Sequence, residues 1–254
     1  METPLIFNSY ILNIDVLGFG TFVERNSAQT VFDYYGRIIT GAAFAGDIVD
    51  KDNLDVMVYS DTIAIKSNNE DERVSLFNLV KIANIIQVGQ YYSALSKDAV
   101  FLPVRGTITF GEFFFHKGDI WSQAPGREKI YAKNVDMIIG KPIVESHELE
   151  KSMELMCVAI GDSAQCRAKG KLTNHLLDSN LLLEYEIPIK KRDRKKGLIV
   201  NPVSTPHLDV NVEKLKHECK KHEDCSSTKH KYLNTIDLFE FVKTNRKFYP
   251  KSPE

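Results

Sequence analysis

Residues 10–20 have the sequence "YILNIDVLGFG", in which a carboxylate stands inside an apolar run just before two glycines. The apolar run, rich in isoleucine, predicts a buried strand that ends in a loop carrying two glycines. One carboxylate, Asp15, stands inside the run, and burying an ionised carboxylate costs on the order of several kcal/mol unless a partner compensates it. Asp15 therefore either caps the helix that follows or serves a ligand site beside a glycine loop, whose backbone amides can approach a phosphate.

A second carboxylate interrupts a second apolar stretch. Leu54–Tyr59 and Thr62–Ile65 predict two strands joined as a hairpin at Ser60 and Asp61. If the first strand lies beside this hairpin, Asp15 and Asp61 meet and raise each other's pKa, a penalty that a divalent cation removes. Oxygen ligands without histidine or cysteine nearby favour Mg²⁺ or Mn²⁺ over zinc. Asp61 as a plain turn residue is the alternative, but the two carboxylates taken together favour a metal site.

The remaining pattern predicts an α+β fold with a ferredoxin-like sheet. The order β-α-β-β-α-β places helices over a mainly antiparallel sheet. A polar, helical segment begins near residue 208, which predicts a main domain at 1–207 and a C-terminal helical appendage at 208–254. Besides the hairpin, strands are predicted at 9–17, 100–115, 155–160, 181–189 and 197–201, and helices at 21–45, 70–95 and 130–153, the last interrupted at residues 140–142.

The bulk composition excludes several classes of protein. The chain has 254 residues, of which 43% are hydrophobic, enough for one substantial core. The net charge of −1 gives no attraction to nucleic acid or to an anionic membrane, so any polyanion site must be local. The chain lacks a secretory leader and any apolar stretch of ~18 residues. Four cysteines in a chain of this length favour reduced thiols, and these features together predict a cytoplasmic protein.

Four segments, taken in order, resemble the marker segments of class III nucleotidyl cyclase domains. In their variant forms they look most like the pyrimidine cyclases of the Pycsar anti-phage system, in which the second segment runs Ser-Asp and the late helix ends in a Leu-Glu pair. The resemblance spans roughly residues 9–202. The segments are Ile14-Asp15-Val16-Leu17-Gly18-Phe19, Tyr59-Ser60-Asp61, Arg105-Gly106-Thr107-Ile108-Thr109-Phe110-Gly111 and Ile139-Gly140-Lys141-Pro142-Ile143-Val144-Glu145-Ser146-His147-Glu148-Leu149-Glu150.

The resemblance implies a cyclase domain that works as a head-to-tail homodimer with sites at the subunit interface. It implies conversion of UTP or CTP to the 3′,5′-cyclic nucleotide and pyrophosphate, as a second messenger read by a separate effector protein in anti-phage defence. Asp15 and Asp61 would hold two Mn²⁺ or Mg²⁺ ions, with the Val16 carbonyl as a further ligand. The triphosphate would lie on the backbone of three loop residues, Leu17, Gly18 and Phe19.

The departures from the purine cyclases bear on substrate and mechanism. The late-helix asparagine and arginine of purine cyclases correspond here to Val144 and Glu148, and the purine-reading position falls near Met57, which cannot pair with a purine edge. A transition state with developing negative charge needs another cation. Arg105 is the best-placed candidate, and a structural arginine held in an ion pair is the equal alternative. Two further cations lie in the loop behind it, Arg127 and Lys129.

Two other functions and one other metal site remain as alternatives. A catalytically inactive cyclase-like module could bind nucleotide or a partner, as the missing asparagine–arginine pair suggests. A polymerase-like palm domain shares the β-α-β-β order but needs basic template-binding surfaces that the net charge does not indicate. Zinc is the lesser prediction, below an exposed polar helix, for a group of residues whose spacing matches no paired Cys-x-x-Cys site, namely His217, Cys219, His222 and Cys225.

Overall fold

The computed structural model describes residues 5–44, 54–93, 101–122, 130–168, 170–190, 194–203, 208–222, 225–245 and 248. The described residues form eight strands and eight helices. The strands are β1 Leu5–Val16, β2 Leu54–Tyr59, β3 Thr62–Ser67, β4 Val104–Ser122, β5 Ile130–Gly140, β6 Val158–Ile160, β7 Leu182–Ile187 and β8 Lys195–Val200. The helices are α1 Phe19–Arg25, α2 Ala28–Phe44, α3 Glu72–Ser93, α4 Lys141–Ser152, α5 Asp162–Arg167, α6 Lys171–Asp178, α7 Leu208–Lys220 and α8 Ser226–Thr244.

The eight strands form one sheet in the order β2-β3-β1-β4-β6-β8-β7, with β5 paired to the far part of β4. All pairs are antiparallel except β4 with β6, which is parallel. β1 therefore lies between β3 and β4, and its end is the point where Asp15 pairs with Thr62 on one side and Arg105 on the other. The predicted β-α-β-β-α-β order and the α+β fold class are confirmed.

Each face of the sheet carries its own core. Side chains alternate along β1, so Leu12, Ile14 and Val16 face a large core formed with α2 and α3. The opposite face of β6, β7 and β8 packs against α7 and α8, whose Leu238 and Phe239 are fully buried there. The C-terminal helices thus share a core with the sheet rather than standing apart from it. None of the described helices is both long and apolar enough to cross a lipid bilayer.

Two predicted helices are wrong in part. Residues 130–140, predicted as helix, form strand β5, because they pair along β4 through contacts distant in sequence that a local pattern does not reveal. The helix itself begins at Lys141, with Pro142 in its first turn. The helix predicted over 21–45 is two helices, α1 and α2, since Asn26 is extended and the Ser27 hydroxyl accepts a hydrogen bond from the Thr30 amide at the start of α2.

Two helices were missed entirely, and both lie between β6 and β7. α5 and α6 span Asp162–Arg167 and Lys171–Asp178, where no helix was predicted. Both are too short to show several turns of apolar periodicity, which is the signal from which helices are predicted. Their apolar side chains nevertheless reach the large core, through Ala164, Ala168 and Leu176.

Candidate active site

The end of β1 places Asp15 on the sheet face opposite the large core. Because Leu12, Ile14 and Val16 turn toward that core, the alternation of the strand turns Asp15 the other way. Its side chain is 14% exposed, and its Oδ2 accepts a hydrogen bond of 2.7 Å from Nε of Arg105 on the neighbouring strand. Asp15 therefore does not cap α1, whose first turn has no side-chain capping hydrogen bond.

The tight turn between β2 and β3 brings Asp61 to the same place. The backbone amide of Val16 donates to the Asp61 carbonyl at 2.8 Å, which ties the turn to the end of β1. Ser60 adopts a left-handed backbone conformation with φ of 54°, and its carbonyl accepts a hydrogen bond from the Tyr35 hydroxyl of α2. These bonds hold the turn so that the two carboxylates predicted to meet are neighbours.

Burial dominates the electrostatics of Asp15. It raises the pKa of the carboxyl above its ordinary value, and Arg105 opposes this through its charge and its hydrogen bond. Asp61 raises the pKa of Asp15 further, both by its charge and by a hydrogen bond between the two side chains. The pair is thus a point of concentrated negative charge at which a bound cation would be stabilised.

Arg105 connects this pair to helix α4. Besides its bond to Asp15, its Nη1 donates to the Glu150 carbonyl at 2.9 Å. The arginine is 15% exposed, so the ion pair that the structural alternative requires is present beside the site. The loop with the other two candidate cations, Arg127 and Lys129, lies outside the described residues.

Glu150 is a site neighbour that the sequence prediction missed. Its carboxyl is buried against the sheet and accepts a hydrogen bond of 3.3 Å from the Ser146 hydroxyl. Burial, followed by the charge of Asp15, raises the pKa of Glu150 to about 7. The signal in the sequence is that Pro142, Ser146 and Glu150 recur every four residues, which places them on one face of α4.

The loop after β1 contains a glycine in the left-handed region of backbone conformation. Gly18 has φ of +78°, a left-handed conformation that favours glycine. The Leu17 amide already donates to the Pro103 carbonyl at 2.9 Å, so it is engaged within the chain. Among the described residues no acceptor is found for the amides of Gly18 and Phe19. Of the three loop residues predicted to cradle a triphosphate, these two retain a backbone donor for it.

The remaining predicted positions lie apart from the carboxylates. Met57, on β2, is two strands from Asp15 and packs in a small apolar cluster with Ile11 and Phe113. Val144 and Glu148 lie one turn apart on the exposed face of α4, and Val144 is 59% exposed.

The cysteines and histidines near the C-terminus are not gathered around one point. Among the described residues no group of three or more His, Cys, Asp or Glu side chains is arranged to hold a metal ion. Cys219 is buried, His222 stacks on Tyr232 with ring centroids 5.3 Å apart, and the Cys225 thiol is paired with Thr228. The arrangement gives the zinc alternative no support.

Comparison with known proteins bears on the fold. No protein-family model and no curated protein matches the sequence. The adenylyl cyclase CyaB from P. aeruginosa superposes with a TM-score of 0.50 at 14% identity, covering 78% of this chain and 96% of that one. The guanylate cyclase domain of RhGC from Catenaria anguillulae, in complex with GTP, gives a TM-score of 0.49 at 12% identity, covering 78% of this chain and 98% of that one. The mixed sheet with its helices is therefore the fold of a class III nucleotidyl cyclase domain.

Proposed function

We propose that this chain is a metal-dependent pyrimidine nucleotide cyclase, which converts UTP or CTP to the 3′,5′-cyclic nucleotide and pyrophosphate. The observation that carries the proposal is the pairing of Asp15 and Asp61 at the end of β1, directly before the glycine loop. A carboxylate pair next to free backbone amide donors suits a nucleoside triphosphate that is bound through divalent cations.

The donor set fits Mn²⁺ or Mg²⁺. Sites for Mg²⁺ commonly use one or two carboxylates and complete their coordination with substrate phosphates and water. Asp15 and Asp61 would hold two ions together with the Val16 carbonyl. When bound, such ions acidify the ribose 3′-hydroxyl and neutralise phosphate charge.

The residues of the chain would divide the work of an in-line displacement. The amides of Gly18 and Phe19 bind the phosphates and align the leaving pyrophosphate with the 3′-oxygen. That oxygen bonds to the α-phosphorus as the bond from the α-phosphorus to the bridging oxygen breaks, and the hydroxyl proton is released to solvent. Arg105 sits beside this point and would stabilise the charge that develops on the phosphate, after exchanging Asp15 for the substrate as its partner.

The preference for a pyrimidine base and the assembly as a homodimer are proposed from the resemblance to pyrimidine cyclases. Met57 offers no hydrogen bond to a purine edge, and Val144 and Glu148 replace the asparagine and arginine of purine cyclases. Because these two residues are exposed on α4, they are free to face a second subunit, which supports a homodimer with sites at the interface. A cytoplasmic role in anti-phage defence, with a separate effector that reads the cyclic product, belongs to the same proposal.

The test is a product assay with Mn²⁺ and each of the four ribonucleoside triphosphates, separated by chromatography. We expect a cyclic pyrimidine product that falls by at least about a thousandfold in Asp61→Asn, since the substitution removes a ligand charge at nearly unchanged volume. Asp162→Asn is the matched control, because this carboxylate is 70% exposed and lies on α5 outside the site. Full activity in a folded Asp61→Asn variant would contradict the mechanism.

The same preparation separates the proposal from the inactive-module alternative. If no triphosphate gives a cyclic product, nucleotide binding is measured by calorimetry with and without Mn²⁺. Binding without turnover would favour the module, whose motivation is the absent asparagine–arginine pair at Val144 and Glu148. If the chain neither binds a nucleotide nor forms a cyclic product, both the cyclase and the nucleotide-binding module are excluded.

A further inference from the structure

A cavity lies between the glycine loop and the C-terminal helices. Its volume is about 600 Å³, and it is lined by Leu17 and Gly18 of the loop together with Arg25 at the end of α1. Its lining also includes Thr228 and Lys231 of α8. The cavity thus continues from the proposed phosphate loop into a segment that lies beyond the region resembling known cyclases.

The charged side chains of the cavity are mainly cationic. Arg25 and Lys231 both line it, and neither forms an ion pair with another described residue. Among the described residues that line the cavity the one carboxylate is Glu218, which is paired with Lys221 at 2.7 Å. Two unpaired cations facing one space are arranged to bind an anion.

Lys231 also belongs electrostatically to the carboxylate site. Burial lowers its pKa below the ordinary value, and the positive charge of Arg105 acts in the same direction while Asp15 raises it. Lys190 also lowers this pKa and Glu154 raises it, so Lys231 lies within reach of the charges of both site residues and of these two neighbours. An anion placed between Gly18 and Lys231 would therefore lie next to the metal site without being part of it.

We propose that this cavity binds the terminal phosphates of the triphosphate, and the pyrophosphate that leaves, through Lys231 and Arg25. The inference rests on the proposed function, because it assigns the far end of the same substrate. It makes the C-terminal helices one wall of the active site, so that a residue outside the cyclase-like region helps to determine affinity for the triphosphate. The lining of the cavity also includes the apolar side chains of Phe101 and Leu102.

The test is calorimetric binding of inorganic pyrophosphate to the full chain in EDTA, where bound metal cannot contribute. We expect Lys231→Gln and Arg25→Gln each to weaken binding by about tenfold, the loss of one charge-assisted hydrogen bond. Lys229→Gln is the matched control, because Lys229 is a cation on the same helix that does not line the cavity. Its affinity should stay within about twofold of the unsubstituted chain.

Two further measurements keep this inference distinct from the proposed function. Asp15→Asn should retain pyrophosphate binding in EDTA, because it removes a negative charge near the cavity rather than a cation. In the cyclisation assay Lys231→Gln should raise the KM for the nucleotide by about tenfold. Unchanged pyrophosphate binding in Lys231→Gln and Arg25→Gln, or no binding to the unsubstituted chain, overturns the inference even if cyclisation occurs. Pyrophosphate binding without any cyclic product instead counts against the proposed function alone.

Discussion

Arg105, which forms an ion pair with Asp15, has two possible roles: it stabilises the transition state, or it only neutralises Asp15. Its Nε bonds Asp15 at 2.7 Å while its Nη1 holds the Glu150 carbonyl at 2.9 Å, so the side chain is braced from both sides. When the bond to Asp15 is exchanged for the substrate, the bond to the Glu150 carbonyl still positions the guanidinium to meet developing charge. The same bracing could serve only to neutralise a half-buried carboxylate.

Substitution of Arg105 distinguishes these roles. If the arginine stabilises the transition state, Arg105→Gln should lower kcat by at least about a hundredfold, and Arg105→Lys, which keeps the charge but loses the planar fork, should fall between. The measurement is steady-state cyclisation at saturating Mn²⁺, with the folded fraction of each variant determined by circular dichroism. An unchanged kcat in folded Arg105→Gln would assign the residue to the structural ion pair.

A carboxylate at a functional site can be predicted from the sequence when apolar residues surround it. Asp15 and Asp61 were predictable because each interrupts an apolar run, and a two-residue turn leaves little freedom for where the second one lies. Glu150 was not predicted as a site residue, because a four-residue recurrence on α4 does not show that this face packs beside Arg105. The position of Lys231 near the glycine loop was not predictable either, because it depends on how segments distant in sequence pack together.

Strand β4 illustrates how one element sets the geometry of the site. It pairs with β1 along twelve positions, from Leu5 with Phe115 to Val16 with Val104, and this register places Arg105 opposite Asp15. The close approach depends on Gly106, where an added Cβ would stand 2.2 Å from the Asn13 carbonyl oxygen. Such a contact is with backbone, so it cannot be relieved by turning a side chain.

Two glycine substitutions should therefore have opposite effects on stability. Gly106→Ala should lower the free energy of unfolding by about 3 kcal/mol or more and disturb the pairing of β1 with β4. Gly89→Ala is the matched control, because a Cβ at Gly89 in α3 meets nothing within 4 Å. It should raise the free energy of unfolding by about 0.5–1 kcal/mol through helix propensity. Urea denaturation measures both, and equal effects would contradict the close approach at Gly106.

Elements with a strong local pattern of apolar residues were predicted, and the strand that depends on pairing with a distant strand was not. α3 shows a long apolar pattern and appears at Glu72–Ser93, close to the predicted 70–95. β5 has no such signal, because its strand conformation is stabilised by β4 across a wide hairpin whose register shifts between Gly118 and Ile120. The β-α-β-β-α-β order up to β4 was therefore recoverable from the sequence, while the long β4–β5 ribbon and the short helices α5 and α6 were not.

The whole molecule is held together by two cores on opposite faces of the sheet. Predicted as an appendage at 208–254, the C-terminal segment contributes Leu215, Leu238 and Phe239 to the core that covers β6, β7 and β8. Phe239 is fully buried and meets Tyr91 of α3 edge-to-face, with ring centroids 4.9 Å apart. Contacts of this kind couple the stability of the C-terminal helices to that of the sheet.

Removal of one buried ring in α8 should therefore destabilise the entire chain. Phe239→Ala should lower the free energy of unfolding by about 3–5 kcal/mol in a single transition, because it leaves a cavity in a shared core. Leu233→Ala is the control on the same helix, since Leu233 is 43% exposed, and its effect should be smaller than about 1 kcal/mol. Urea unfolding followed by far-ultraviolet and near-ultraviolet circular dichroism tests this. Two separate transitions in the unsubstituted chain would show an independent C-terminal unit.

The position of β1 in the middle of the sheet has a consequence for how the protein matures during synthesis. β1 leaves the ribosome before both of its neighbours, and its register with β3 is available before its register with β4. Asp15 and Asp61 therefore leave the ribosome first, Arg105 follows, and Lys231 emerges only with α8. The parts of the site are thus synthesised in the order carboxylates, arginine and C-terminal wall, and the site is complete only when α8 has emerged, because α8 shares a buried core with the sheet.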